Sequence, residues 1–342
     1  MSNQPGSSTA AEPDQPMATP ADEAEQPGPT RAGEAVAPEG AGRPAYAPGT
    51  VVLALVAVGW LAAMLWSTRA AISNAAAGVT AISLSAYALP GVITAALVAG
   101  AAVALVATNP VGRVTLRFLA AVGTGLLVGL AAAVAINLAY ADNATTNTIA
   151  GTAAAAAIIG GAMAGARNAR VVAALATATL AAQVFVVLFS RARDPLSDLF
   201  GAGDSQQSML DAAKWVSRTE SLLAGLIAGL LAFGYLTWAR RRAARRDRSA
   251  PLRWPAYLVA GAGPGLLLLL TEVIIRIGGH GLLDLAAALS EADQVAQTSL
   301  GTSRVDNGIW VLFVGALTAL VAFGRTLGPR QDENEPAEEP AV

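Results

Sequence analysis

Glu272 and Arg276 stand four residues apart in "TEVIIRIGGHG", in a stretch that is otherwise apolar. A carboxylate one helical turn ahead of a guanidinium is the favoured order for an ion pair on one helix face. A charge kept among apolar neighbours is costly, and in a membrane segment it marks a functional position. Two roles fit the pair. It neutralises itself, with the arginine stem reaching toward the interface, or it faces a polar vestibule with Asn137, Asp142 and His280, which fall at similar depth. Gln183 is the most strongly polar side chain near the middle of an apolar run. It serves either as a helix-to-helix hydrogen bond or as the lining of a polar path. Pro264, in "GAGPG" at 261–265, removes one helix hydrogen bond among flexible neighbours and is the candidate hinge. The candidate polar pathway is therefore Gln183, Asn137, Glu272 and Arg276, bent at Pro264.

Much other chemistry is out of reach. The chain has no cysteine and one histidine, which removes disulfides, thiolate nucleophiles, Cys-ligated metals and multi-His sites. It carries no HExxH, no phosphate-binding loop with its lysine and no GxSxG elbow. No catalytic residue, cofactor or metal ligand is assigned, and the chain is expected not to be an enzyme.

The elements that must position these residues are read from apolar blocks. Hydrophobic residues make up 54% of the 342 and charged residues 13%, and about 18 to 20 apolar residues in a row suffice for a helix to cross a bilayer. Eight blocks qualify, near 50–67, 90–107, 116–140, 149–166, 171–189, 221–239, 256–277 and 308–324. The expected fold is an all-α, polytopic transmembrane helix bundle over 47–325. Residues 1–46 and 326–342, acidic and rich in Pro and Ala, have little to bury and are expected to be disordered tails. The first block follows an acidic, proline-rich stretch and reads as a retained span, not a cleaved leader. One lysine among 21 arginines, with abundant Ala and Gly, reads as the coding bias of a GC-rich bacterial genome. That places the chain in a bacterial cytoplasmic membrane.

Orientation follows from the basic residues, which stay on the cytoplasmic side. With the N-terminus inside, fifteen arginines fall on inner segments and six basic residues on outer loops. Seven of the fifteen lie in "ARRRAARRDRSAPLR" at 239–253. Such a run reads as a topology signal and a contact for anionic lipid through Arg240, Arg241, Arg242, Arg245 and Arg246. Nucleic-acid binding would want a folded module or interleaved aromatics, and neither is present. Trp238, Trp254 and Tyr257 bracket this loop as an inner aromatic belt, answered outside by Trp66, Tyr140 and Trp310.

Three outer inserts, 69–89, 190–220 and 278–307, repeat apolar residues at helical spacing and are expected to form amphipathic helices on the membrane surface. Asp204 or Ser208 is the expected cap of the second. Spans one to four and five to eight have the layout of two parallel repeats, each with a long insert after its first span. Gly125/Gly129, Gly161/Gly165, Gly225/Gly229 and Gly261/Gly265 allow close helix contact.

Two functions fit this layout: a transporter or permease-like protein using the polar pathway, or a non-catalytic scaffold whose tails and inserts bind envelope or division partners. The threading itself is testable, because the chain offers no native thiol. A membrane-impermeant maleimide is expected to label His280→Cys in intact cells and Ala243→Cys only after permeabilisation; the reverse pattern contradicts the orientation.

Overall fold

Uninterrupted runs of Ala, Leu, Val and Gly leave the backbone as their main polar component, and a helix satisfies it internally. The computed structural model describes residues 47–73, 79–139, 144–166, 168–203, 205–245, 252–281, 284, 288 and 291–326. The chain there forms α1 (Thr50–Ser73), α2 (Val79–Thr108), α3 (Val114–Ala139), α4 (Ala144–Ala166), α5 (Ala169–Phe189), α6 (Arg193–Leu199), α7 (Gln206–Ala244), α8 (Trp254–Gly278) and α9 (Glu291–Gly324). A 3-10 turn, Ser190–Ala192, joins α5 to α6. Eight helices, all but α6, provide segments long and apolar enough to cross a membrane. The chain is all-α and, by helix length and hydropathy, a multi-pass membrane protein. The expected tail at 1–46 lies outside the described residues, as does the one at 326–342 apart from Thr326.

The inserts differ from expectation. Residues 79–89 are the first turns of α2, which continues through Pro90 to Thr108. Residues 206–220 are the first turns of α7, and 291–307 those of α9. They are extensions of spans, not separate surface helices. Once a helix is nucleated each added residue gains a hydrogen bond, and the three-and-four spacing of the inserts runs on into the apolar block behind them. Among the described residues of the inserts only α6 stands as a short helix of its own. At about 1.5 Å per residue, 39 residues make α7 roughly 58 Å long, against about 30 Å of hydrocarbon. α7, and α9 with 34 residues, are therefore longer than a crossing requires.

Local capping is also specific. Ser205, not Asp204 or Ser208, caps α7: its side chain accepts from the Ser208 backbone N–H at 3.1 Å. Asp204 lies outside the described residues. Asn168 caps α5 by accepting from the Arg170 N–H. Ahead of α1, Gly49 takes φ +76 over the ring of Trp238, and the Tyr235 hydroxyl donates to Pro48 O at 2.7 Å, so the start of α1 is tied to α7.

Each group of four spans packs in the same order. In α1 to α4 the fourth span lies against both the second and the third, and in α5, α7, α8 and α9 the fourth again lies against the second and the third. Glycines make the seams. Gly160 of α4 abuts Leu97 and Ala101 of α2, while its neighbour Gly161 abuts Ala121 and Gly125 of α3. In the second half Gly315 of α9 abuts Gly261 of α8 and Gly225 of α7. Within lipid, where apolar area gives no advantage between helices, such backbone approach is what holds neighbours together. Contacts between the two halves are sparser and run chiefly through α2 and α4 on one side and α8 and α5 on the other.

One expected belt residue is placed elsewhere. Tyr257 is only 1% exposed, with its ring 4.5 Å from Phe323 and 5.9 Å from Phe233. It is an interior stacking residue, while Trp238, Trp254, Trp66 and Trp310 are exposed as a belt requires.

A Cβ at Gly229 would lie 2.6 Å from Gly315 O and 2.7 Å from Thr318 Cβ, whereas one at Gly234 meets open space. Gly229→Val is expected to lower stability by about 1–3 kcal/mol or more through overpacking. Gly234→Ala should stay within about 1 kcal/mol or stabilise. Thermal unfolding in detergent compares them, and equal midpoints contradict the seam.

Candidate functional site

Six helices of the two halves surround one cavity of about 270 Å³. α1 contributes Trp60 and Met64, and α2 contributes Pro90, Gly91 and Thr94. α5 contributes Thr179, Gln183 and Val187; α7 contributes Glu220 and Ser221; α8 contributes Pro264, Thr271 and Glu272; α9 contributes Arg304, Asn307 and Val311. Each α5 and α8 residue here follows another by three, four, seven or eight positions, the spacing that keeps side chains on one helix face.

Glu272 is the electrostatic centre. Its side chain is 8% exposed and accepts from Arg276 Nε at 3.2 Å on Oε1 and from Arg304 Nε at 2.9 Å on Oε2. One arginine belongs to the same helix and the other to α9, so the carboxylate clamps α8 to α9. Six residues from the helix end, Glu272 sits about 9 Å inside it. Nearby, Glu220 of α7 accepts from Arg193 Nη2 of α6 at 2.7 Å, which holds the short helix against α7. A buried carboxylate left without its cation would be expensive, and a paired one is tolerable.

Neutral groups complete the lining. Thr94 Oγ1 and Thr271 Oγ1 are 3.0 Å apart, joining α2 to α8 across the two halves. Thr94 also donates to Pro90 O at 2.8 Å. Ser217 donates to Asn307 Oδ1 at 3.1 Å. Gln183 Oε1 and Trp60 Nε1 are buried and have no hydrogen-bond partner among the described residues. Unpartnered polar atoms cost free energy inside lipid unless water or a ligand satisfies them.

The predicted pathway is only partly assembled here. Gln183, Glu272 and Pro264 line the same cavity, and Arg276 joins through Glu272. Asn137 does not line it: its side chain is exposed on α3 and donates to Ala133 O at 3.0 Å. His280 is exposed, with Nδ1 2.9 Å from Ile277 O, and Asp142 lies outside the described residues. Pro264 interrupts no helix, since α8 runs unbroken from Trp254 to Gly278. Its glycine neighbours serve packing, Gly263 against Leu175 and Gly265 against Leu312. What Pro264 does supply is a missing N–H, which frees the Ala260 carbonyl four residues back.

Sequence reasoning missed Trp60, Glu220, Arg193, Arg304 and Asn307. A signal existed: Glu220 directly precedes an apolar block and Arg304 lies four residues ahead of one, at the same end of their spans as Glu272. Reading the inserts as separate helices hid it.

No family model, curated protein or solved structure matches the chain.

The clamp has measurable weight. Glu272→Gln leaves two guanidinium groups without their anion and is expected to cost about 1–3 kcal/mol, below the buried-pair range because Arg276 is 64% exposed. Glu220→Gln should cost less, about 1 kcal/mol, since Arg193 is 54% exposed. In a double-mutant cycle Glu272→Gln and Arg304→Ala should couple by more than about 0.5 kcal/mol; additive losses would show that the two do not interact.

Proposed function

We propose that the protein is a transporter or permease-like carrier, not an enzyme, and that its solute path runs through the cavity between the two four-span halves. The observation that carries this reading is the pair of unpartnered buried groups, Gln183 Oε1 and Trp60 Nε1, in a cavity bordered by both halves. Polar atoms without partners at the boundary between repeated halves are where a membrane carrier keeps its binding site. The proposed lining is Gln183, Glu272 and Arg304, with Arg276 holding Glu272 from outside the cavity and Pro264 weakening α8 where the two halves move. Asn137, exposed on α3, is left out of this path.

The reading extends to threading. Both termini and the Arg240 loop face the cytoplasm of a bacterial inner membrane, and the extensions of α7 and α9 face outward. Arg240, Arg241, Arg242 and Arg245 are exposed at the end of α7, and Arg242 lies 5.6 Å over the Trp238 ring. This arrangement suits an anionic headgroup at an inner interface. Arg246 lies outside the described residues.

Gln183→Cys tests the path. Impermeant maleimide applied to intact cells is expected to label it, at a rate that falls when solute occupies the cavity. A Gln183→Cys chain that stays unlabelled in both intact and permeabilised cells means water does not reach the cavity, and the carrier reading falls to the scaffold alternative.

A further inference from the structure

The lining of the cavity between the halves is acidic. Glu220 and Glu272 border it, and among the described residues Arg304 alone of the basic side chains does so. The two carboxylates are answered differently. Glu272 accepts from Arg276 on Oε1 and from Arg304 on Oε2, so both of its oxygens are bonded and the Arg304 charge is matched inside the lining. Glu220 accepts on Oε2 from Arg193, which belongs to α6 and does not border the cavity. Its Oε1 has no hydrogen-bond partner among the described residues. Arg193 is 54% exposed, where solvent screens its charge. Glu220 therefore shows the cavity a charged acceptor.

The hydroxyls of the wall are acceptors too, because their hydrogens are committed elsewhere. Thr179 donates to Leu175 O at 2.8 Å, Ser221 to Ser217 O at 3.0 Å and Thr94 to Pro90 O at 2.8 Å. With the Thr94 hydrogen spent on Pro90, the 3.0 Å contact between Thr94 and Thr271 draws its hydrogen from Thr271. Each oxygen still holds lone pairs. Thr179 and Gln183 lie one turn apart on α5, and Glu220 and Ser221 are neighbours on α7, a helix packed against α5. Gln183 Oε1 adds a buried acceptor with no partner, and Trp60 Nε1 on α1 is a buried donor with none. Asn307 Oδ1 is taken by Ser217, which leaves its NH2 as a further donor. The remaining wall, including Met64, Val186, Leu268 and Val311, is apolar.

Resting on the carrier reading, we propose that the bound solute is an organic ammonium ion: a protonated primary amine on an apolar body that also carries an oxygen acceptor. Its N–H groups go to Glu220 Oε1, Gln183 Oε1 and the hydroxyl oxygens of Thr179 and Ser221, its oxygen accepts from Trp60 Nε1, and its body rests on the apolar wall. The ammonium completes Glu220 from inside the cavity as Arg304 completes Glu272. A charged donor on a charged acceptor makes the stronger kind of hydrogen bond, and a site whose acceptors require N–H groups rejects an analogue that lacks them.

The test titrates the full chain in zwitterionic nanodiscs by calorimetry, with empty nanodiscs as the blank. The probes are phenoxypropylamine, its trimethylammonium derivative, phenoxypropanol and phenoxypropanoate. The amine is expected to bind saturably and about tenfold or more tightly than each of the others. Glu220→Gln keeps the shape, removes the charge and should weaken the amine about tenfold. Gln183→Leu leaves every ion pair in place and should weaken it about threefold. Trp60→Phe should weaken phenoxypropylamine but not phenylbutylamine, which has no oxygen. Arg193→Ala removes the cation that shares Glu220 and should tighten the amine about threefold, a gain that mere damage to the site does not produce. No saturable binding of the amine, or binding equal to that of the alcohol or the carboxylate, overturns the proposal. So does amine binding unchanged by Glu220→Gln and Gln183→Leu alike, and equal binding of the trimethylammonium ion overturns the assignment of N–H groups to these acceptors. Failure here is separable from failure of the carrier reading. A chain that binds the amine but moves none across a vesicle membrane contradicts transport alone, and a Gln183→Cys that labels from water in a chain with no amine preference contradicts this proposal alone.

Discussion

Helices in lipid gain nothing from burying one apolar surface against another, so their association depends on how closely their backbones approach. In this chain that approach is concentrated at glycines within each half. Gly160 and Gly161 seat α4 between α2 and α3, and Gly315 seats α9 between α7 and α8. Any Cβ at these positions would strike a neighbouring backbone. At the boundary between the halves the close glycine approaches among the described residues are to side chains, Gly278 against Thr152 of α4 and Gly279 against Leu89 of α2. The cavity lies where the close packing stops.

Charge beside the cavity is paired: two arginines meet Glu272 and one meets Glu220. These pairs tie α8 to α9 and α6 to α7, all within the second half. Across the halves the ties are lighter, such as the Thr94 and Thr271 hydroxyl contact at 3.0 Å. Strong links inside a half and weak links between halves are what a rocking pair of bodies requires.

Much of this was legible in the sequence. Eight apolar blocks gave eight helices, because length and hydropathy are cumulative signals that do not depend on tertiary detail. The Glu272 to Arg276 pair followed from four-residue spacing alone. Where helices end was less legible: apolar spacing in 79–89 and 206–220 looks the same whether a segment lies on the membrane or extends a span. Depth along the chain also failed to give direction around the helix. Asn137 and Gln183 are both amides on spans, yet one is exposed on α3 and the other lines the cavity. Trp60 was invisible, since an unpartnered indole N–H is a property of its neighbours and not of its own residue type.

The central claim is that two stiff halves move about the cavity between them, and a distance measurement between spin labels addresses it most directly. Leu138 of α3 and Ile277 of α8 are exposed at the same end of opposite halves, and Leu210 of α7 is exposed in the same half as Ile277. Labels at Leu138→Cys and Ile277→Cys are expected to give a broad or two-peaked distance distribution spanning several ångströms. Labels at Leu210→Cys and Ile277→Cys should give one narrow peak. A single sharp distance for the first pair, or an equal spread in both pairs, would contradict the account.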